Sequence, residues 1–176
     1  MKKYFLYFVL LQTIFSCTSK THIGDQFGNI LDIKDYPQIA SKTSGLFIDQ
    51  GAWFGFCLLP DSTNITGFGG PWILSDKKWT SLSLARFEAK IENQTNPVIF
   101  NKTDQTYYPG RLVANYTSDC LNLELSSFLC EDGIAYQIAT LTNKTNSDLK
   151  VNLSWFGKSW QKIRAKENGE ISIKYT

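Results

Sequence analysis

The second half of this sequence alternates apolar and polar residues with a period of two, and no other feature limits the possible folds as strongly. Leu82 and Leu84 begin the pattern, Leu112 and Ala114 continue it, and Leu121, Leu123 and Leu125 repeat it. Ile134, Tyr136 and Ile138 follow, then Leu149, Val151, Leu153 and Trp155, then Ile171, Ile173 and Tyr175. Each run presents one apolar face, as a half-buried strand does. Turn formers punctuate the runs at Asn96-Pro97, Pro109-Gly110, Asp132-Gly133, Asn143 to Asp148 and Asn168-Gly169. A sustained 3.6-residue stripe is not visible anywhere. Many short strands with regular turns predict an all-β fold, an antiparallel β-sandwich over residues 29–176. Within it Leu121, Leu123, Leu125, Ile138, Val151 and Leu153 are expected to point inward. The strand-like Glu170 to Tyr175 runs up to Thr176. It reads either as a natural last strand or as a sandwich incomplete at its C-terminus.

The opening residues have a different character. Lys2 and Lys3 precede a short apolar run from Tyr4 to Leu11, which is too short to span a bilayer. Ile14, Phe15, Ser16 and Cys17 follow, a small residue directly before a cysteine, which resembles the lipobox of bacterial lipoproteins. Residues 1–16 are therefore expected to be a signal peptide of lipoprotein type. Cys17 is the expected lipid attachment site, and residues 17–28 form a polar tether. The other reading is an ordinary signal peptide with Cys17 incidental. Both place the mature chain outside the cytoplasm, periplasmic or at the cell surface, with the lipoprotein reading adding a membrane partner through the anchor.

Without residues 1–16 the 18 Lys and Arg fall to 16, against 16 Asp and Glu. A formally neutral module lacks the clustered basic face that nucleic acid requires, so that partner is excluded. Cys57, Cys120 and Cys130 remain beyond Cys17, in no C-x-x-C spacing, and the one histidine is His22 in the tether. A structural metal site is not expected. Cys120 and Cys130 read either as a short disulfide loop or as buried free thiols.

Nucleophilic triads need a histidine held by the fold, and His22 is badly placed for that. There is no phosphate loop, dinucleotide fingerprint or His-x-x-x-His pair, so no cofactor is expected. Paired carboxylates remain possible in composition, with Asp49, Asp61, Glu88, Asp104 and Asp119 at hand. On a β-sandwich such acids are mostly solvated turn groups.

The densest local signal is Leu46 to Asp76, where five glycines lie close to Trp53, Phe54, Phe56, Phe68 and Trp72, with Pro60 and Pro71 at corners. Rings beside glycine corners form either a core plug or a flat face for a sugar. Asp49, Gln50, Gly51, Ala52 and Trp53, then Gly55, Leu58 to Asp61 and Gly67 to Pro71 resemble the N-terminal domain of the YgjK-type glucosidases of glycoside hydrolase family 63. That resemblance implies a sandwich of the kind that precedes a helical (α/α) catalytic toroid, which carries the acid and base of an inverting α-glucosidase. No stretch of residues 1–176 resembles that toroid, so no catalytic residue of the family is carried over to this chain.

The resemblance implies a non-catalytic sandwich domain of an exported glucosidase, present as a truncated or split chain, whose partner is the helical catalytic domain. Trp53, Phe54, Asp61 and Trp72 are the candidates for a carbohydrate or domain interface. The alternative is a free-standing surface lipoprotein that binds glycan through exposed rings such as Trp53 and Trp72. Six Asn-x-Ser/Thr sequons, at Asn64, Asn93, Asn101, Asn115, Asn143 and Asn152, read either as glycosylation sites or as accidents of an Asn- and Thr-rich chain.

Overall fold

The computed structural model describes residues 26–39, 41–130, 133–160, 163–165 and 171–173. Residues 1–16, Cys17, His22, the Asn168-Gly169 turn and Tyr175 lie outside the described residues. Eleven strands follow in chain order: β1 (Phe54–Cys57), β2 (Gly69–Ile73), β3 (Lys78–Trp79), β4 (Arg86–Ile91), β5 (Asn101–Tyr108), β6 (Arg111–Thr117), β7 (Leu121–Cys130), β8 (Ile134–Asn143), β9 (Val151–Phe156), β10 (Ile163–Ala165) and β11 (Ile171–Ile173). Among the described residues there is no α-helix. All strand pairs are antiparallel, in sheets ordered β5-β6-β7-β8, β1-β2-β3, β4-β9 and β10-β11. An isolated bridge between Gly67 and Arg86 ties β4 to the residues before β2. The fold is the all-β, sandwich-like one the alternation predicts.

One face of the four-stranded sheet supplies most of the core. Leu121, Leu123, Leu125 and Leu129 of β7 and Leu112, Ala114 and Tyr116 of β6 pack against Phe54 and Phe56 of β1, Ile73 of β2, and Phe87 and Ala89 of β4. Burying each large side chain contributes about 1.5–3 kcal/mol, so the four leucines of β7 supply a large share of what holds the two layers together. Its alternate residues Asn122 and Glu124 are exposed, the expected signature of a sheet with one wet face.

Two of the six residues expected inside are not there. Register places Ala139 of β8 beside Leu125, and Leu141 beside Leu123. The odd-numbered residues of β8 thus share the core face, and Ile138 is turned outward, 51% exposed. Leu153 faces the core side, opposite buried Ala89, but β9 is a strand with one open flank and Leu153 stays 57% exposed. Val151 packs partly against the core. The alternation at Leu82 and Leu84 belongs to the loop between β3 and β4 rather than to a strand.

Cys57, Cys120 and Cys130 are free thiols. Cys120 directly precedes β7 and Cys130 ends it. Ten extended residues separate their positions by roughly 33 Å, far beyond disulfide reach.

The two flanks of the sandwich differ. Along β5 the Asn29 amide donates to the Tyr107 carbonyl (2.7 Å) while Asn29 Oδ1 accepts from the Tyr107 amide (2.8 Å), and Gln105 and Lys102 reach the Leu59–Asp61 loop. That flank is covered. The outer edges of β8 and β9 have no strand partner among the described residues. Neither strand contains a charged residue or a proline.

Candidate functional site

The segment from Leu46 to Asp76 folds as a ribbon closed on itself. Phe47 exchanges both backbone hydrogen bonds with Phe56, at 2.7 and 3.0 Å. Between them Asp49 makes a tight turn: its Oδ1 accepts from the Gln50 amide and its carbonyl from the Ala52 amide. Gln50 and Gly51 both take positive φ, 52° and 70°, which Gly51 adopts without strain. The turn delivers Trp53 to the surface.

Trp53 is 54% exposed, with its ring edge-on to Phe54 at 5.2 Å. A Cβ on Gly133 would lie 2.9 Å from Trp53 Nε1, and one on Gly110 would lie 3.7 Å from Asp49 Oδ2. The Asp49–Trp53 turn, the β5–β6 turn and the end of the β7–β8 connection therefore gather at one end of the sandwich. Phe54 itself is buried and meets Phe56 edge-on at 5.8 Å. Trp72 is 8% exposed and packs edge-on against Trp79 at 5.2 Å, in a small core with Cys57. The expected exposure of Trp72 is thus corrected: β2 runs between β1 and β3, and the cluster around its ring, Cys57 and Trp79 with Leu46 and Trp160, buries it. Of the four candidates Trp53 and Phe54 touch each other, whereas Trp72 and Asp61 lie elsewhere.

Asp61 ends a Leu-Pro-Asp corner and works as a clamp. Its Oδ2 accepts from Lys34 Nζ at 2.8 Å, and its Oδ1 accepts from Gln105 Nε2 at 2.7 Å. The Lys34 hydrogen bond, and after it the Gln105 amide, hold the carboxyl below its ordinary range. Gln105, buried on β5, also donates to the Leu59 carbonyl. Lys102 Nζ donates to the carbonyls of Leu59 and Pro60 at 3.4 and 3.3 Å, and partial burial pushes its ammonium down from the usual value. Gln105 and Lys102 carry no motif and were invisible in the sequence. A carboxyl stabilised as its anion is poorly suited to donate a proton to a leaving group. The clamp fixes a corner of backbone.

The glycine-rich turn has the same structural logic. A Cβ at Gly67 would lie 2.6 Å from Ser83 Oγ, and one at Gly69 would lie 2.5 Å from Cys57 Sγ. The thiol of Cys57 lies against the Asp35 carbonyl at 3.5 Å, and burial drives its pKa far up, leaving an inert group. Tyr116 from the facing sheet completes the corner. Its hydroxyl donates to the Ile65 carbonyl at 2.9 Å and accepts from the Gly67 amide at 3.2 Å. Among the described residues no group of three His, Cys, Asp or Glu side chains gathers to hold a metal.

The corners are therefore packing devices. The family model for the glucosidase YgjK N-terminal domain matches residues 25–175. That span takes in the Asp49–Trp53 turn, the Leu-Pro-Asp clamp, the glycine corner and all eleven strands. The chain belongs to the family of glucosidase YgjK N-terminal domains.

Proposed function

We propose that this chain is the non-catalytic β-sandwich of an exported glucosidase, anchored through a lipid on Cys17, and that it supports a helical catalytic domain. The open flank carries this reading. Leu153 and Trp155 of β9 stand opposite core residues Ala89 and Phe87, yet remain 57% and 44% exposed. Phe156 beside them is exposed as well. On β8 the buried Oε1 of Gln137, and on β7 the Oγ of its neighbour Ser127, have no hydrogen-bond partner among the described residues. Free edges usually carry lysine, proline or a bulge that discourages pairing. An uncharged edge beside half-wet core residues favours a covering partner.

Hydrogen exchange of the chain alone and with a YgjK-type (α/α) catalytic domain tests the docking. Slowed exchange is expected over β8 and β9. Protection confined to the covered β5 flank contradicts it. Membrane-fraction protein should carry an acylated Cys17 by mass spectrometry, and an unmodified N-terminus downstream of Cys17 would remove the anchor. The glycan-binding alternative keeps Trp53, which is exposed, and loses Trp72, which is buried.

A further inference from the structure

The outer face of the four-stranded sheet is graded in a way a purely solvated face is not. Register sets Asn115, Glu124 and Thr140 side by side on β6, β7 and β8, and Thr117, Asn122 and Thr142 form the adjacent row. These six line a hollow of about 510 Å³. Thr117 Oγ1 donates to Asn122 Oδ1 at 2.8 Å, which fixes the far end of the hollow. Four residues along the strands, roughly 13 Å away, the same face ends in a row of rings: Tyr108 under the Arg111 guanidinium at 4.9 Å, and Phe128 stacked on Tyr136 at 5.6 Å. Arg111 and Glu124 are the only charged residues on β6, β7 and β8.

We propose that this face binds an uncharged oligosaccharide, with sugar hydroxyls in the Asn115–Glu124–Thr140 hollow and a pyranose ring against Tyr136. A sugar presents hydroxyls that each donate and accept, plus an apolar C–H face. Amides, threonine hydroxyls and the Glu124 carboxylate, with Asp104 of β5 opposite Asn115 at the end of the row, answer the first requirement, because together they offer both donors and acceptors to hydroxyls. An aromatic ring with a wet face answers the second, and Tyr136 is 47% exposed. Ile138, between the hollow and the rings, keeps the path along the strands apolar. The site uses outward side chains of β8, whereas the docking reading uses the backbone edge of that strand. That the sugar is built of glucose rests on the glucosidase reading.

Titration of the purified chain with maltoheptaose and, separately, cellohexaose, followed by backbone amide NMR, tests the site. One of the two oligomers is expected to shift amides of residues 113–117, 122–128 and 136–142. Tyr136→Ala, and separately Asn115→Ala, should weaken binding about tenfold or more, while Trp53→Ala and Trp155→Ala should not. Amide spectra of the variants report folding directly. Absence of shifts with both oligomers, or binding lost in Trp53→Ala and retained in Tyr136→Ala, overturns the proposal, as does self-association of the chain through this face. Saccharide binding without protection of β8 and β9 by a catalytic domain would count against the docking reading alone. Docking without saccharide binding would count against this site alone.

Discussion

Tyr116 shows how one hydroxyl can hold two layers in register. It lies on β6, its ring in the core, and its oxygen serves both Ile65 and Gly67 of the facing corner. Tyr116→Phe removes both of its bonds while the Gly67 amide still reaches the Ile65 carbonyl at 3.0 Å, and should cost about 1 kcal/mol, read from chemical denaturation. Burial pushes its pKa from 10.0 up to about 12, against a smaller downward pull from the Gly67 amide. A folded-state value above the unfolded one means stability is complete below pH 10 and is lost as pH rises from 10 to 12. Two units correspond to roughly 2–3 kcal/mol. The raised Cys57 thiol adds a loss of the same sign and the lowered Lys102 one of opposite sign, so the difference between wild type and Tyr116→Phe isolates the tyrosine. Equal alkaline loss in both proteins would refute the assignment. The clamp at Asp61 should rank differently: Gln105→Leu leaves the Leu59 carbonyl only the longer Lys102 contact at 3.4 Å and should cost about 1–2 kcal/mol. Asp61→Asn touches an exposed pair and should cost under about 1 kcal/mol.

At the scale of elements, parity decides what the strands do. Leu123 is buried between two neighbouring strands, so Leu123→Asp should abolish the cooperative melt. Ile138→Lys, on the wet face of β8, should leave stability within about 0.5 kcal/mol in the isolated chain, and Leu153→Asp, on the core side of β9 but more than half exposed, should cost less than Leu123→Asp. A cooperative native-like melt for Leu123→Asp would contradict the register. The strands with leucine on one face and polar residues on the other, β6 and β7, were legible because only one phase of the alternation can be buried. β8 was not: Ile134, Tyr136 and Ile138 outweigh Ala135, Gln137 and Ala139 in hydrophobicity, yet pairing with β7 buries the smaller set. β5 escaped notice because NKTDQTYY has no apolar period, its inward position being filled by Gln105. The Asp49–Pro71 segment was legible as a unit through its glycines and rings. Which rings were wet was not, since Trp53 and Trp72 differ only in whether a neighbouring strand covers them.

At the scale of the whole molecule, β5 is tied down by Asn29, Lys102 and Gln105, whereas the uncharged outer edges of β8 and β9 have no strand partner among the described residues. The carboxylates nearest to a catalytic role sit on different elements: Asp49 in a turn, Asp61 in its clamp, Glu88 on β4 and Asp104 on β5. Glycoside inversion needs a protonated acid and an ionised base roughly 6.5–9.5 Å apart across a bound sugar. The most direct measurement is therefore glucose release by the purified chain from a panel of α-glucosides. No release above buffer is expected, at any pH where the chain is folded. Reproducible turnover that disappears in Asp49→Asn or Asp61→Asn would place a catalytic pair inside the sandwich and contradict the account.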